Sequence, residues 1–94
     1  VEALLRWRHP ERGLLYPDAF LPVAESAGLI VPIGEWVIER ALGELADLPG
    51  SLRLAVNLSP TQVRSPRLVA VVSEALRSAE VAPDRVEFEI TEHV

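Results

Sequence analysis

The chain has no cysteine and no lysine. The first absence excludes disulfides and thiolate metal sites. The second leaves nine scattered arginines as the whole basic complement, against fourteen acidic residues and a net charge of -5. Long nucleic acids are gripped by clustered Lys and Arg on phosphates, so a polymer-binding surface is not expected. A small phosphate ligand fits only if a metal supplies the positive charge. Aromatic residues are sparse at 5%, which leaves aliphatic side chains to build the core. No apolar run approaches the roughly 18 residues needed to cross a bilayer. No basic leader followed by an apolar segment reads as a secretion signal, so the cytoplasm is the expected compartment. At 94 residues the chain amounts to one domain or less, with a modest core.

What is present alternates in period. Residues 1–8 read as a strand, with Glu2, Leu4 and Arg6 on one face and Ala3, Leu5 and Trp7 on the other. His9-Pro10 breaks it, and 9–16 reads as a loop containing Gly13. Pro17 suits the first position of a helix over about 17–27, and Gly28 suits its C-terminal cap. A second helix is expected from Pro32, with Ile33, Trp36, Val37, Arg40, Ala41 and Leu45 as its stripe, and Pro49-Gly50 as its stop. Glu35, Glu39 and Glu44 lie mostly off that stripe and read as a wet face, while Trp7 and Trp36 read as packing residues. Residues 51–58 alternate again, Leu52, Leu54 and Val56 opposing Arg53, Ala55 and Asn57. Ser65 before Pro66 predicts a third helix to about residue 79, with Leu68, Val71, Val72 and Leu76 as its apolar side. After a turn at 82–84, residues 85–92 set Val86, Phe88 and Ile90 against Glu87, Glu89 and Thr91. The order strand, helix, helix, strand, helix, strand implies parallel pairing with crossovers.

Helices on one side of such a sheet cover the apolar faces, which leaves Asn57, Glu87 and Glu89 pointing the other way. In an open doubly covered sheet that second side is also apolar. In a closed barrel it is the interior, where polar residues near strand ends form the active site. The expected fold is therefore α/β, a partial (β/α)8 TIM-type barrel with about three parallel strands. Glu2 and Glu89 offer carboxylates and Asn57 an amide oxygen, the donors hard divalent cations prefer. Arg6 lies on the Glu2 face, about 13 Å farther along a strand, and its planar fork suits a phosphate.

Each residue has a plainer reading. A strand glutamate is more often solvated or salt-bridged than metal-bound. Arg6 can pair with Glu2 or Glu89. Asn57 can be a cap or turn residue ahead of Ser59-Pro60. Asn57-Leu58-Ser59 is a glycosylation acceptor on paper, disfavoured by Pro60. His9 reads as a structural hydrogen-bonding residue and His93 as an exposed one.

Taken together, the strings resemble the EAL domain family. Glu2-Ala3-Leu4-Leu5-Arg6-Trp7 resembles its signature. The run from Pro17-Asp18-Ala19-Phe20-Leu21-Pro22 to Gly28-Leu29-Ile30, then Gly34-Glu35-Trp36-Val37, Val56-Asn57-Leu58-Ser59-Pro60 and Glu87-Phe88-Glu89-Ile90-Thr91-Glu92, resemble further family segments in the same order. The resemblance implies a (β/α)8-type barrel that hydrolyses cyclic di-GMP to linear pGpG with two divalent cations, Mg²⁺ or Mn²⁺. It implies Glu2, Asn57 and Glu89 as metal ligands, with Glu2 and Glu89 catalytic through them. Arg6 and Leu4 are implied as substrate contacts, and Glu92 as a catalytic-site residue that positions a downstream loop.

The resemblance also implies that residues 1–94 are a partial domain. A barrel of this type has about 250 residues. The preceding strand and the C-terminal half, with its Asp-Asp-Phe-Gly-Thr-Gly segment, lysine, glutamate and glutamine, are not in this sequence. His93 stands where a small hydroxyl residue often follows the last glutamate. The expected function is thus a fragment of a cyclic di-GMP phosphodiesterase, inactive by itself. The alternatives are a non-cutting cyclic di-GMP receptor and a dimerising interaction module. Sensor or GGDEF domains and an inner-membrane tether commonly accompany the family, and a homodimer is expected. Open strand edges recruit other strands, so the 94-residue chain is predicted to self-associate. Sedimentation that finds a well-folded monomer at high concentration would refute this.

Overall fold

Leu54, Val56 and Leu58 alternate with Ala55 and Asn57, and this period of two sets the centre of the fold. In the computed structural model, residues 1–4 and 7–90 are described. Arg6, Glu92 and His93 lie outside the described residues, as do the side chains of Trp7 and His9. The elements are β1 (Trp7–His9), β2 (Gly13–Leu15), α1 (Pro17–Ser26), α2 (Ile30–Ala46), β3 (Leu54–Leu58), α3 (Pro60–Val63), α4 (Leu68–Ala79) and β4 (Val86–Ile90), with a 3-10 turn at Pro83–Arg85 before β4.

β3 and β4 pair in parallel, from Leu54↔Val86 to Leu58↔Ile90. On the other edge of β3 the N-terminal segment joins through a parallel bridge, Glu2↔Ala55. Ala3 N–H donates to the Ala55 carbonyl at 2.9 Å and Ala55 N–H to the Val1 carbonyl at 2.8 Å. Three adjacent parallel segments thus run in the expected sequence. One face of this sheet is sealed by helices. Leu54, Val56 and Leu58 are buried against Ile38, Leu42 and Leu45 of α2, Ala75 of α4 and Val81. Leu68, Val71, Val72 and Leu76 flank that core from α4, along the stripe read from sequence.

Several expectations need correction. The strand read over 1–8 is two different things: a single bridge at Glu2, then β1, which turns back antiparallel onto β2 with Trp7↔Leu15 and His9↔Gly13. The stretch read as a loop over 9–16 is therefore largely a hairpin. Its three-residue turn closes on Gly13 at φ 72°, a left-handed conformation that suits glycine in such hairpins. α2 begins two residues before Pro32, because none of the first four helical N–H groups has an intrahelical partner and a proline there loses nothing. α4 begins at Leu68 rather than at 66, with Ser65 Oγ accepting from Arg67 N–H at 3.3 Å.

The buried line of α2 is also rotated. Ile30, Gly34, Ile38, Leu42 and Leu45 face inward, whereas Trp36 is 54% exposed. α2 is apolar over more than one stripe, and its Ile38, Leu42 and Leu45 fit the sheet without a bulky indole or a charged Arg40. Glu35 is not on a wet face. Its side chain is only 18% exposed and pairs with Arg67 at 3.3 Å, tying α2 to the entry of α4.

Arg85 closes the end of the sheet opposite the candidate site. It donates from Nε to the Leu52 carbonyl at 3.1 Å, and from Nη2 to the carbonyls of Pro49 at 2.9 Å and Leu45 at 3.4 Å. One carbonyl of the last turn of α2 and two of the loop into β3 are held by one guanidinium. Arg85→Ala is expected to cost about 1–3 kcal/mol, read as a lower urea midpoint at unchanged slope. Arg85→Lys, without the fork, should recover little of it.

Candidate metal centre

The register of the parallel ladder decides which side chains meet. Asn57 stands opposite Glu89, and Ala55 opposite Glu87. Glu2 bridges Ala55 on the other side, so its backbone sits one inward-facing level below Asn57. The long Glu2 side chain spans that step: Asn57 Nδ2 donates to Glu2 Oε1 at 3.0 Å. Glu2, Asn57 and Glu89 come from three neighbouring parallel segments, near the C-terminal ends of β3 and β4 for the latter two. All three are exposed, on the face that the helices do not cover.

The donor set has a definite chemistry. With Nδ2 given to Glu2, Asn57 has its carbonyl oxygen left for a cation. Two carboxylates and one amide make an all-oxygen set of charge −2, suited to Mg²⁺ or Mn²⁺ rather than to a thiolate-seeking metal. Mg²⁺ in particular is bound through one or two carboxylates, with waters and substrate phosphate filling the rest of its shell. Among the described residues no group of three or more His, Cys, Asp and Glu side chains is gathered. The register sets Glu89 beside Asn57 and the hydrogen bond brings Glu2 to it, with Glu87 on the same face one step below; two of these acids and the amide fit a hard divalent ion.

Leu4, expected to touch substrate, is exposed and lines an open groove of about 560 Å³ between the N-terminal segment and α2, with Trp36, Val37 and Arg40. Arg6 and Glu92 lie outside the described residues. Asn57 is not a helix cap. That task falls to Ser59, whose Oγ accepts from Gln62 N–H at 3.2 Å while Gln62 Oε1 accepts from Ser59 N–H at 2.9 Å. This capping box starts α3, a helix the sequence reading missed. The string Ser59-Pro60-Thr61-Gln62 carries the signal, since Ser-x-x-Gln is a capping-box pattern.

The family model of the EAL domain matches residues 1–94. The chain belongs to the EAL domain family. Among curated proteins it is 50% identical over 91 residues to an uncharacterized signaling protein of Caulobacter vibrioides, covering 97% of this chain and 11% of that protein. It is 46% identical over 96 residues to the bifunctional diguanylate cyclase/cyclic di-GMP phosphodiesterase MucR of Pseudomonas aeruginosa, covering 98% and 14%. The chain thus spans about a tenth to a seventh of the length of these relatives. Among solved structures, the PaMucR phosphodiesterase in complex with c-di-GMP superposes with a TM-score of 0.91 at 44% identity, over 98% of this chain and 39% of that one. The FimX EAL domain of Pseudomonas aeruginosa bound to c-di-GMP gives 0.86 at 34%, over 95% and 36%. EAL domains are TIM-type barrels, and this α/β chain with its parallel strands and outer helices corresponds to a part of one.

Because the site face is exposed and the core lies on the other side, site and stability should separate. Asn57→Ala is expected to change the unfolding free energy by no more than about 0.5 kcal/mol, whereas Leu42→Ala, at a fully buried position, should cost about 2–5 kcal/mol. Parallel urea titrations check both.

Proposed function

We propose that residues 1–94 are part of a cyclic di-GMP phosphodiesterase domain, and that Glu2, Asn57 and Glu89 are its ligands for Mg²⁺ or Mn²⁺. The observation that carries this reading is the contact of Asn57 Nδ2 with Glu2 Oε1 at 3.0 Å, together with the Asn57↔Glu89 register. The hydrogen bond holds the Glu2 carboxylate and leaves the amide oxygen of Asn57 for a cation. Phosphodiesterases named for cyclic di-GMP among the relatives support the substrate.

In the intact barrel, Glu2 and Glu89 bring the negative charge that retains the cations, and Asn57 adds a neutral donor between them. The chemistry supplied by the bound pair of cations is a nucleophilic water at neutral pH and charge neutralisation at the scissile phosphodiester. Arg6 offers its fork to a phosphate oxygen pair, Leu4 gives an apolar contact to the substrate, and Glu92 positions a loop that follows. Addition of one water across one phosphodiester bond yields linear pGpG. The general base and the remaining ligands belong to the rest of the barrel, so the isolated chain binds metal weakly and does not turn over. The intact protein works in the cytoplasm as a homodimer, with a GGDEF or sensor domain as regulatory input, and in some settings is tethered to the inner membrane.

Glu89→Gln in the intact protein is expected to lower the rate of pGpG release by at least about 100-fold, a loss of about 3 kcal/mol of transition-state stabilisation. Chromatography of the nucleotide products measures it. Wild-type protein that binds cyclic di-GMP at saturating Mn²⁺ and never releases pGpG would instead be a receptor.

A further inference from the structure

We propose that Gln62 is a positioning residue for Asn57. Its importance for metal binding rests on the reading of Asn57 as a ligand; its hold on Asn57 does not.

Asn57 is followed by Leu58, only 5% exposed and fixed in the core, and then by Ser59. The peptide between Leu58 and Ser59 is held at its nitrogen by Gln62 Oε1 at 2.9 Å, and the Ser59 hydroxyl accepts Gln62 N–H at 3.2 Å. Two hydrogen bonds close a ring two residues past Asn57. Gln62 is in turn the single buried polar residue among those described. Its carboxamide lies against α2 at Gly34, where a Cβ would run into Gln62 Nε2 and Cδ. Gly34 is therefore glycine because a side-chain amide occupies the space of its methyl, not because of its backbone angles.

The consequence is a rigid path. α2 is fixed to the sheet by Ile38 and Leu42, both fully buried. Gly34 on the same helix seats Gln62, Gln62 orients the Leu58–Ser59 peptide, and that peptide sets the exit direction of β3 at Asn57. The same turn is tied to α1, since Thr61 Oγ1 donates to Glu25 Oε1. A ligand that must give Nδ2 to Glu2 and Oδ1 to a cation tolerates little rotation, and supporting residues of this kind hold a site to within about 0.5 Å.

The test uses the intact domain and Mn²⁺ alone as probe. Gln62→Asn stays polar but is one methylene too short to reach Ser59 N–H. It is expected to shift the Asn57 side-chain amide signals in metal-free NMR spectra and to weaken Mn²⁺ binding by about tenfold or more. Gly34→Ala displaces the same side chain without altering it and should do likewise. The double variant should be no worse than Gln62→Asn alone, because the two changes strike one contact. Unmoved Asn57 signals in a folded Gln62→Asn protein overturn the positioning role, even if its melting temperature falls. Asn57→Ala with unchanged Mn²⁺ affinity overturns the metal reading instead, and the NMR comparison still decides whether Gln62 holds Asn57.

Discussion

The parallel register of β3 with β4 is the constraint from which the rest follows. Side chains alternate across a strand, so pairing Asn57 with Glu89 fixes two sets at once. Leu54, Val56, Val86 and Phe88 are turned toward α2 and α4, and Ala55, Asn57, Glu87 and Glu89 away from them. A slip of one residue would put carboxylates into the apolar layer and leucines into the site. The core therefore specifies the site: burial of one face enforces the register that places oxygen donors side by side on the other.

Glu2 shows how far that control reaches. Its backbone pairs with Ala55, not Asn57, yet its carboxylate meets the Asn57 amide. The small side chain of Ala55 leaves the uncovered face open at that level, and the two methylenes of glutamate cover one strand step. An aspartate at position 2 would be one methylene shorter. An asparagine at 57 also matters electrically. A carboxylate at 57 would repel its acidic neighbours, whereas the amide donates to Glu2 and leaves its own oxygen unused by that bond.

What the sequence made legible divides along the range of the interactions. Strand alternation at 54–58 and 86–90, the helix from Pro17 with Gly28 beyond its end, and the parallel order were readable because each depends on local period or local turn chemistry. That Asn57 and Glu89 share one face was readable because faces follow from the same period. The misreadings have another origin. α2 is apolar on two adjacent stripes, so periodicity could not say whether Trp36 or Ile38 meets the sheet; packing against Val56 and Leu58 decides that. Glu35 looked solvated because its partner Arg67 lies thirty-two positions away in sequence. The hairpin at 7–15 was hidden by its shortness, three residues per arm. α3 was hidden for the same reason, although its capping box stood in the string.

The separation of core and site bears on how the family can vary. Free energy of folding comes from the face that packs on α2 and α4, while Glu2, Asn57 and Glu89 stand exposed and contribute little to it. Exchanging one of these three side chains leaves the apolar layer and the register untouched, so the exposed face can change while the fold stays. Likeness of fold therefore says less about turnover than the identity of a few oxygen donors does. Gln62 breaks this separation. It is buried in the packing around α2 and bonded to the strand end that carries Asn57, so a change there is felt on both sides. Where the packing around α2 and the end of β3 share one residue, a substitution alters both at once, and the string Ser59-Pro60-Thr61-Gln62 together with Gly34 is where they meet.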